Sequence, residues 1–184
     1  MRLFVALNIP EETRSTLRLL LDDFARICRG ARWVRPEGIH ITLKFIGHVD
    51  NSSLPEIQKA LSRVRHDKPF HVAFRHFGFF PNEKHPRVFF VGIEADKGLA
   101  TLAANIENQL APLGIAKEER TFQPHLTLAR FKTTEGLSEL RKKIASLPTQ
   151  DFGGGEVSEF HLYQSMLKSG GAVYTKLSTY HFAN

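Results

Sequence analysis

Apolar and polar residues alternate with a period of two in seven segments of the chain. This alternation predicts β-strands, because successive strand side chains point to opposite faces and one face is usually buried. Glycine, proline and asparagine residues between several of these segments favour turns there. The predicted strands cover residues 2–9, 39–46, 70–79, 87–93, 125–131, 156–166 and 172–182.

A second pattern, in which apolar residues recur every three or four positions, predicts four amphipathic helices. In the first of them, Leu17, Leu21 and Phe24 share one face. Ser53 and Glu56 have the spacing of a capping box at the start of the second. The predicted helices run from Pro10 to just before Gly30, from Ser53 to about Val64, over 97–111 and near 134–146.

Two glycine-containing segments near the end of the chain are predicted to lie outside helices and strands. Gly153-Gly154-Gly155 is expected to be a flexible connection after the fourth helix. Ser169-Gly170-Gly171 is expected to be the turn of a closing hairpin, because glycine tolerates the backbone angles of tight turns.

The predicted elements repeat along the chain. After the first strand, the order helix, strand, helix, two strands occurs twice. Each half is therefore expected to form an antiparallel sheet with helices on its outer face, which is an α+β architecture. We expect residues 1–184 to form a single bilobed domain, in which a pseudo-twofold axis relates the lobes and a cleft lies between them.

One four-residue motif, H-x-T-L, occurs at equivalent places in the two halves. His40-Ile41-Thr42-Leu43 lies in one predicted strand, and His125-Leu126-Thr127-Leu128 lies in another, 85 residues later. Because residues i and i+2 of a strand share a face, each copy presents an imidazole beside a hydroxyl. A twofold arrangement would bring both His and both Thr side chains to one cleft.

Strand alternation also assigns the residues that follow each motif to one face or the other. Lys44 shares the polar face with the first His and Thr, whereas Phe45 is expected on the buried face. Arg130 falls on the face opposite His125. It reaches the cleft only if the strand bulges or ends before it.

Two imidazoles in one cleft suit acid–base hydrolysis of a phosphodiester. The ordinary pKa of histidine, about 6.5, lets a neutral ring take a proton from water while a protonated ring donates one to the leaving oxygen. The Thr hydroxyls and the Lys44 cation would stabilise the phosphate, and Arg130 would join them if it reaches the cleft. Neither motif contains a carboxylate or a Cys pair, so we expect no metal and no cofactor.

Composition and charge narrow the class of protein. The chain is 42% hydrophobic and 24% charged, which is typical of a soluble globular protein. A net charge of +6 favours an anionic partner such as nucleic acid. A single cysteine, Cys28, excludes an internal disulfide, and no apolar segment approaches the ~20 residues of a membrane span. We expect a cytoplasmic monomer with no membrane partner.

The motifs and the segments around them resemble the two-histidine (2H) phosphoesterase superfamily. Within it, they are most similar to the RNA 2′,3′-cyclic phosphodiesterases, also called 2′-5′ RNA ligases. The resemblance covers nearly the whole chain and implies the bilobed fold described above. Its segments are residues 2–7, 33–47, 122–130, 163–165 and 171–174.

The resemblance implies metal-independent opening of a 2′,3′-cyclic phosphate at an RNA 3′ end, which leaves a 2′-phosphomonoester. By this analogy His40 is the proton donor, His125 is the proton acceptor, and Thr42 and Thr127 bind the phosphate. The residues alone leave the division of labour between the two imidazoles open. The same groups would run the reverse reaction, which joins ends through a 2′-5′ linkage.

Two other functions stay open at this point. One is a phosphodiesterase for small cyclic or 2′-5′-linked nucleotides, since the motifs define the phosphate and not the base. The other is a non-catalytic module that binds RNA ends. The residues considered for contacts outside the motifs are the aromatic Trp33, Phe122 and Tyr174, for base stacking, and the cationic Arg35, Arg87 and Arg120, for steering the backbone.

Overall fold

Two antiparallel sheets and four α-helices make up the fold in a computed structural model, which describes residues 1–169 and 171–182. The predicted α+β class is confirmed. The strands are β1 Arg2–Leu7, β2 Ala31–Trp33, β3 Ile41–His48, β4 Phe70–Phe80, β5 Val88–Ala95, β6 His125–Phe131, β7 Asp151–Val157, β8 Glu159–Lys168 and β9 Gly171–His181. The helices are α1 Glu11–Ile27, α2 Leu54–Leu61, α3 Lys97–Leu110 and α4 Leu137–Ala145.

Each sheet takes strands from both halves of the chain. The first sheet has the order β3-β1-β8-β9, and the second has the order β2-β6-β5-β4-β7. The expectation that each half forms its own sheet is therefore wrong. The hairpin β4–β5 pairs with β6 from the second half, and β8–β9 pair with β1 from the first. The period-two pattern identifies a strand but does not specify its neighbour, because pairing is a long-range contact.

The glycine segment Gly153-Gly154-Gly155 lies within β7, which pairs with β4, so the predicted flexible connection is wrong. A Cβ at Gly154 would collide with the carbonyl oxygen of Val72, and one at Gly155 would lie 2.8 Å from Pro10. Glycine is thus used here for close packing of backbone against its neighbours. The short strand β2, which the sequence pattern missed, pairs with β6. Of the predicted closing turn, Gly170 lies outside the described residues.

Two helices cover the outer face of each sheet. Phe24 of α1 packs against Phe77 and Phe89 of the second sheet, with ring centroids 5.6 and 5.9 Å apart. Gln58 of α2 donates a hydrogen bond to Ser178 of β9 in the first sheet. Burial of this apolar area is the main stabilising contribution to the fold. The faces of the two sheets that the helices do not cover form the walls of a cavity.

The helix limits agree with the predicted ones to within a few residues, but the caps differ. Ser53 makes no capping hydrogen bond at the start of α2, so the predicted capping box is absent. The side chain of Asp96 caps α3 by accepting a hydrogen bond of 2.7 Å from the backbone N–H of Gly98. Among the described residues, no helix has the length and apolar character needed to cross a membrane.

Candidate active site

A cavity of about 930 Å³ lies between the two sheets. His40 and Thr42 line it from the first sheet, and Thr127 and Arg130 line it from the second. The structure therefore brings His40 and both motif threonines to one cavity, whereas His125, the fourth residue of the predicted set, is not in the lining. Other residues in its lining include Arg2, Phe4, Arg32, Trp33, Arg35, Glu37, Phe45, Ser165, Leu167 and Tyr174.

The imidazole of His40 is held by a hydrogen bond and by aromatic packing. Its Nδ1 lies 2.7 Å from the carbonyl oxygen of Gly38. Since a carbonyl can only accept, Nδ1 carries the proton and Nε2 is left for chemistry. The rings of Phe4 and Tyr174 lie 4.8 and 5.2 Å from the imidazole, centroid to centroid. These contacts restrict rotation of the imidazole.

His125 is held in the same way. Its Nδ1 lies 2.7 Å from the carbonyl oxygen of Gln123, again two residues upstream, and Phe80 and Phe90 pack edgewise on the ring. His125 itself is outside the cavity lining, whereas Thr127 on the same strand is in it. The imidazole thus lies one pleat, or about 7 Å along the strand, from a lining hydroxyl.

Both motif strands bulge at the leucine that follows the threonine. In β3, Thr42 pairs with Ala6 and Lys44 pairs with Val5, so Leu43 is the extra residue. In β6, the residues before and after Leu128 pair with consecutive residues of β5, so Leu128 is the extra residue. A bulge shifts the alternation by one residue, so Lys44 and Phe45 in β3 and Ala129 and Arg130 in β6 change face.

These bulges explain two departures from strict alternation. Phe45 is 58% exposed and lines the cavity, so the prediction that it is buried is wrong. Arg130 also lines the cavity. By strict alternation it would face away, so it reaches the cavity only because the strand bulges before it. Phe45 and Arg130 each follow their motif histidine by five residues, so they are equivalent positions in the two strands.

Lys44 is buried on the other side of its strand, and the prediction that it lines the cleft is wrong. Its ammonium lies 2.8 Å from a carboxylate oxygen of Glu107 in α3 and donates a hydrogen bond of 2.6 Å to the carbonyl of Ala116. The same Glu107 carboxylate accepts from the backbone N–H of Glu118. Lys44 therefore anchors the segment that leads to His125 instead of contacting a ligand.

Arg14 of α1 anchors the segment before the first motif, as Lys44 anchors the segment before the second. The sequence pattern did not indicate this role of Arg14. Its Nη1 donates hydrogen bonds of 2.6 and 3.3 Å to the carbonyls of Pro36 and Ile39. These carbonyls flank Gly38, which accepts from His40. An arginine on a polar helix face is ordinary in sequence, so only the tertiary contact reveals that it fixes the segment before His40.

The cavity is strongly electropositive. Arg2, Arg32, Arg35 and Arg130 line it, and Glu37 is the single carboxylate in its lining. The Glu37 carboxylate is paired with Arg18, 3.1 Å away, whereas the four lining arginines form no ion pair within the described part of the chain. Such a surface attracts anions.

The remaining aromatic and cationic candidates divide between lining and packing positions. Trp33 and Tyr174 line the cavity, whereas Phe122 does not. The indole N–H of Trp33 donates to the carbonyl of Cys28, which indicates a packing role. Arg35 is the one lining cation among the three considered for steering. In residues 1–169 and 171–182, no three His, Cys, Asp or Glu side chains form a group that could hold a metal ion.

Burial lowers the pKa of His40 from 6.5 to about 4. The hydrogen bond to the Gly38 carbonyl opposes this shift, and the positive charge of Arg14 adds to it. Desolvation disfavours the charged imidazolium, which explains the direction. In the absence of an anionic ligand, the His40 ring is therefore neutral at pH 7.

Comparison with known proteins gives matches over nearly the whole chain. A family model described as the 2′-5′ RNA ligase superfamily matches residues 20–166. A protein of Archaeoglobus fulgidus named RNA 2′,3′-cyclic phosphodiesterase is 33% identical over 98% of this chain and 99% of its own length. A protein of the same name from Methanocaldococcus jannaschii is 33% identical over 95% of this chain and 96% of its own length.

Solved structures share the fold over the full length. A crystal structure from Thermus thermophilus has a TM-score of 0.80 at 34% identity and covers 99% of this chain and 98% of that one. A crystal structure of E. coli LigT complexed with 3′-AMP has a TM-score of 0.80 at 26% identity and covers 100% of this chain and 98% of that one. The arrangement of two antiparallel sheets and four helices is thus common to these proteins.

Replacing Lys44 tests its anchoring contact. Lys44→Met should lower the free energy of unfolding, measured in urea, by about 3 kcal/mol, because the Glu107 carboxylate would lose its partner in a buried site. Lys59→Met, on an exposed face of α2, should change it by less than about 0.5 kcal/mol. The double variant Lys44→Met with Glu107→Leu should recover most of the loss. Unchanged stability in Lys44→Met would contradict the assignment.

The lowered pKa of His40 predicts a pH dependence of stability. Between about pH 6.5 and 4, the unfolded chain binds a proton at this residue that the folded protein does not bind, so stability falls as the pH falls. In His40→Gln that decline should be smaller by about 1–2 kcal/mol, after allowance for the partial exposure of the ring. Urea unfolding at pH 4.5–7.5 gives the free energy of unfolding of the wild type and of His40→Gln. The same dependence on pH in both proteins would contradict the prediction.

Proposed function

This chain belongs to the 2′-5′ RNA ligase superfamily, and on that premise we propose that it hydrolyses the 2′,3′-cyclic phosphate at an RNA 3′ end to a 2′-phosphomonoester. The observation that carries the proposal is the paired orientation of His40 and His125. Each ring has Nδ1 bound to a carbonyl two residues upstream, which leaves Nε2 for proton transfer. The names of the relatives support the same reaction.

In the proposed reaction the two imidazoles act on opposite sides of one phosphorus atom. The neutral Nε2 of His125 takes a proton from water as the water oxygen bonds to phosphorus. The bond between phosphorus and O3′ breaks, and Nε2 of the protonated His40 ring gives its proton to O3′. The product carries a 2′-phosphate and a 3′-hydroxyl, and proton exchange with solvent restores both rings. No step uses a metal or a cofactor.

The assignment of His40 as the acid requires proton uptake, because its pKa of about 4 leaves the free ring neutral at pH 7. A bound phosphodiester supplies a negative charge next to the ring, and a nearby negative charge raises the pKa of an imidazole. We therefore propose that substrate binding and protonation of His40 are coupled. By microscopic reversibility, the same groups would form a 2′-5′ linkage in the reverse direction.

The hydroxyls of Thr42 and Thr127 are proposed to donate hydrogen bonds to the non-bridging phosphate oxygens. Both lie in the cavity lining, and neither hydroxyl forms a hydrogen bond with another described residue. Donors of this kind stabilise charge that develops in the transition state. Arg130, which the bulge turns into the cavity, adds a positive charge toward the substrate phosphates.

Loss of either imidazole should abolish most activity while the fold survives. His40→Ala and His125→Ala should each lower kcat on an RNA ending in a 2′,3′-cyclic phosphate by about 100-fold to 10,000-fold. His48→Ala, exposed at the end of the same strand β3, is the matched control and should keep full activity. Circular dichroism checks folding, and the assay in EDTA with identification of the product isomer tests metal independence.

Three outcomes of this experiment would contradict the proposal in different ways. Full turnover in both histidine variants would exclude acid–base catalysis by these rings. Tight RNA binding without turnover in the wild type would favour an RNA-end-binding module. A 3′-phosphomonoester product would mean that the P–O2′ bond breaks, so the leaving oxygen would be O2′.

Threonine substitutions test the phosphate contacts separately from proton transfer. Thr42→Val and Thr127→Val remove a hydroxyl at nearly constant volume and should each lower kcat about 100-fold if the bond strengthens in the transition state. Thr42→Ser and Thr127→Ser keep the hydroxyl and should retain activity within about fivefold. Steady-state kinetics distinguishes the variants, and equal losses in the Val and Ser variants would indicate a packing role.

A further inference from the structure

We propose that Arg32 and Arg130 form a second phosphate subsite, which binds the phosphodiester next to the terminal nucleotide. This inference rests on the proposed function and extends it to the substrate class. An enzyme with such a subsite acts on oligonucleotides in preference to mononucleotide cyclic phosphates. The terminal phosphate lies at the threonine hydroxyls, and the adjacent phosphodiester lies at the arginine pair.

The register of β2 against β6 places the two arginines directly opposite each other. Arg32 pairs with Arg130 between Ala31–Phe131 and Trp33–Ala129. Residues opposite each other in an antiparallel pair point to the same face with Cβ atoms about 5 Å apart, and like charges there repel. Both side chains are exposed and line the cavity.

Protein carboxylates do not relieve this repulsion. Neither arginine forms an ion pair or a side-chain hydrogen bond with another residue that the structure describes. Glu37, the acidic residue in the lining, already pairs with Arg18. A bound phosphodiester would neutralise the pair, and the planar guanidinium forms two parallel hydrogen bonds to phosphate oxygens.

The guanidinium of Arg32 extends from the second sheet toward the first. Its Nη2 lies 4.0 Å from the position that a Cβ at Gly171 would occupy, at the start of β9. The side chain therefore spans the opening between the sheets next to the β8–β9 hairpin.

The cationic pair is displaced from the threonine hydroxyls toward one end of the cavity. Arg130 follows Thr127 by three residues, or about 10 Å along an ordinary strand and less across a bulge. At the equivalent position of the first motif strand stands the apolar Phe45. The two motif strands therefore differ in charge at this position, since only the second carries a guanidinium into the cavity.

The test compares two substrates that differ by one phosphodiester: adenosine 2′,3′-cyclic phosphate and the dinucleotide ApA ending in a 2′,3′-cyclic phosphate. In the wild type, kcat/KM should be at least tenfold higher for the dinucleotide. Arg32→Gln should lower kcat/KM for the dinucleotide at least tenfold more than for the mononucleotide. Arg29→Gln, an exposed arginine outside the cavity lining, removes the same charge and should leave the ratio as in the wild type.

Equal losses on both substrates in Arg32→Gln, or equal kcat/KM values in the wild type, would overturn the subsite. Failure of the proposed function gives a different result, namely no turnover of either substrate by the wild type. In that case, a binding measurement tests the subsite independently of turnover. Adenosine 3′-phosphate and the dinucleotide ApA with a 3′-phosphate are titrated by calorimetry, and Arg32→Gln should weaken binding of the dinucleotide alone. Equal weakening of both would overturn the subsite.

Discussion

A hydrogen bond from each motif imidazole to the carbonyl two residues upstream sets the geometry of the site. It fixes which nitrogen carries the proton and directs Nε2 away from the backbone, in both His40 and His125. Because the acceptor is a backbone carbonyl, the orientation depends on the path of the segment before each motif. That path is held from outside the motif by Arg14 in one case and by Lys44 with Glu107 in the other.

Lys44 connects the two motifs through the fold. It lies in the strand of the first motif and anchors the segment that leads to the second, through Glu107 and the carbonyl of Ala116. A buried ion pair costs desolvation, so its net contribution to stability is small compared with the cost of breaking it. Its specific effect is to hold Ala116 and Glu118, in the segment that precedes Gln123, whose carbonyl orients His125.

The bulge after each threonine gives the cavity its chemical character. Without it, Phe45 and Arg130 would turn away from the cavity, and Lys44 would turn into it. With it, the first motif strand contributes an aromatic ring to the cavity, the second contributes a guanidinium, and the Lys44 ammonium lies on the helix-covered side. The two motif strands therefore share the bulge after the threonine, but the side chains that it turns into the cavity differ in charge and in polarity.

Most of the helices and strands, and the two candidate motifs, could be predicted from the sequence because the patterns that indicate them are local. Within the described residues, periods of two and of about 3.6 residues located seven of the nine strands and all four helices, and the repeated H-x-T-L indicated His40, Thr42 and Thr127, which line the cavity, and His125, which lies outside its lining. The pairing of the strands, the inclusion of Gly153-Gly154-Gly155 in a strand and the directions of Lys44 and Arg130 became clear only from the folded chain. Each of these depends on contacts between residues far apart in sequence, and a bulge of a single residue reverses the face assignment of the residues that follow it.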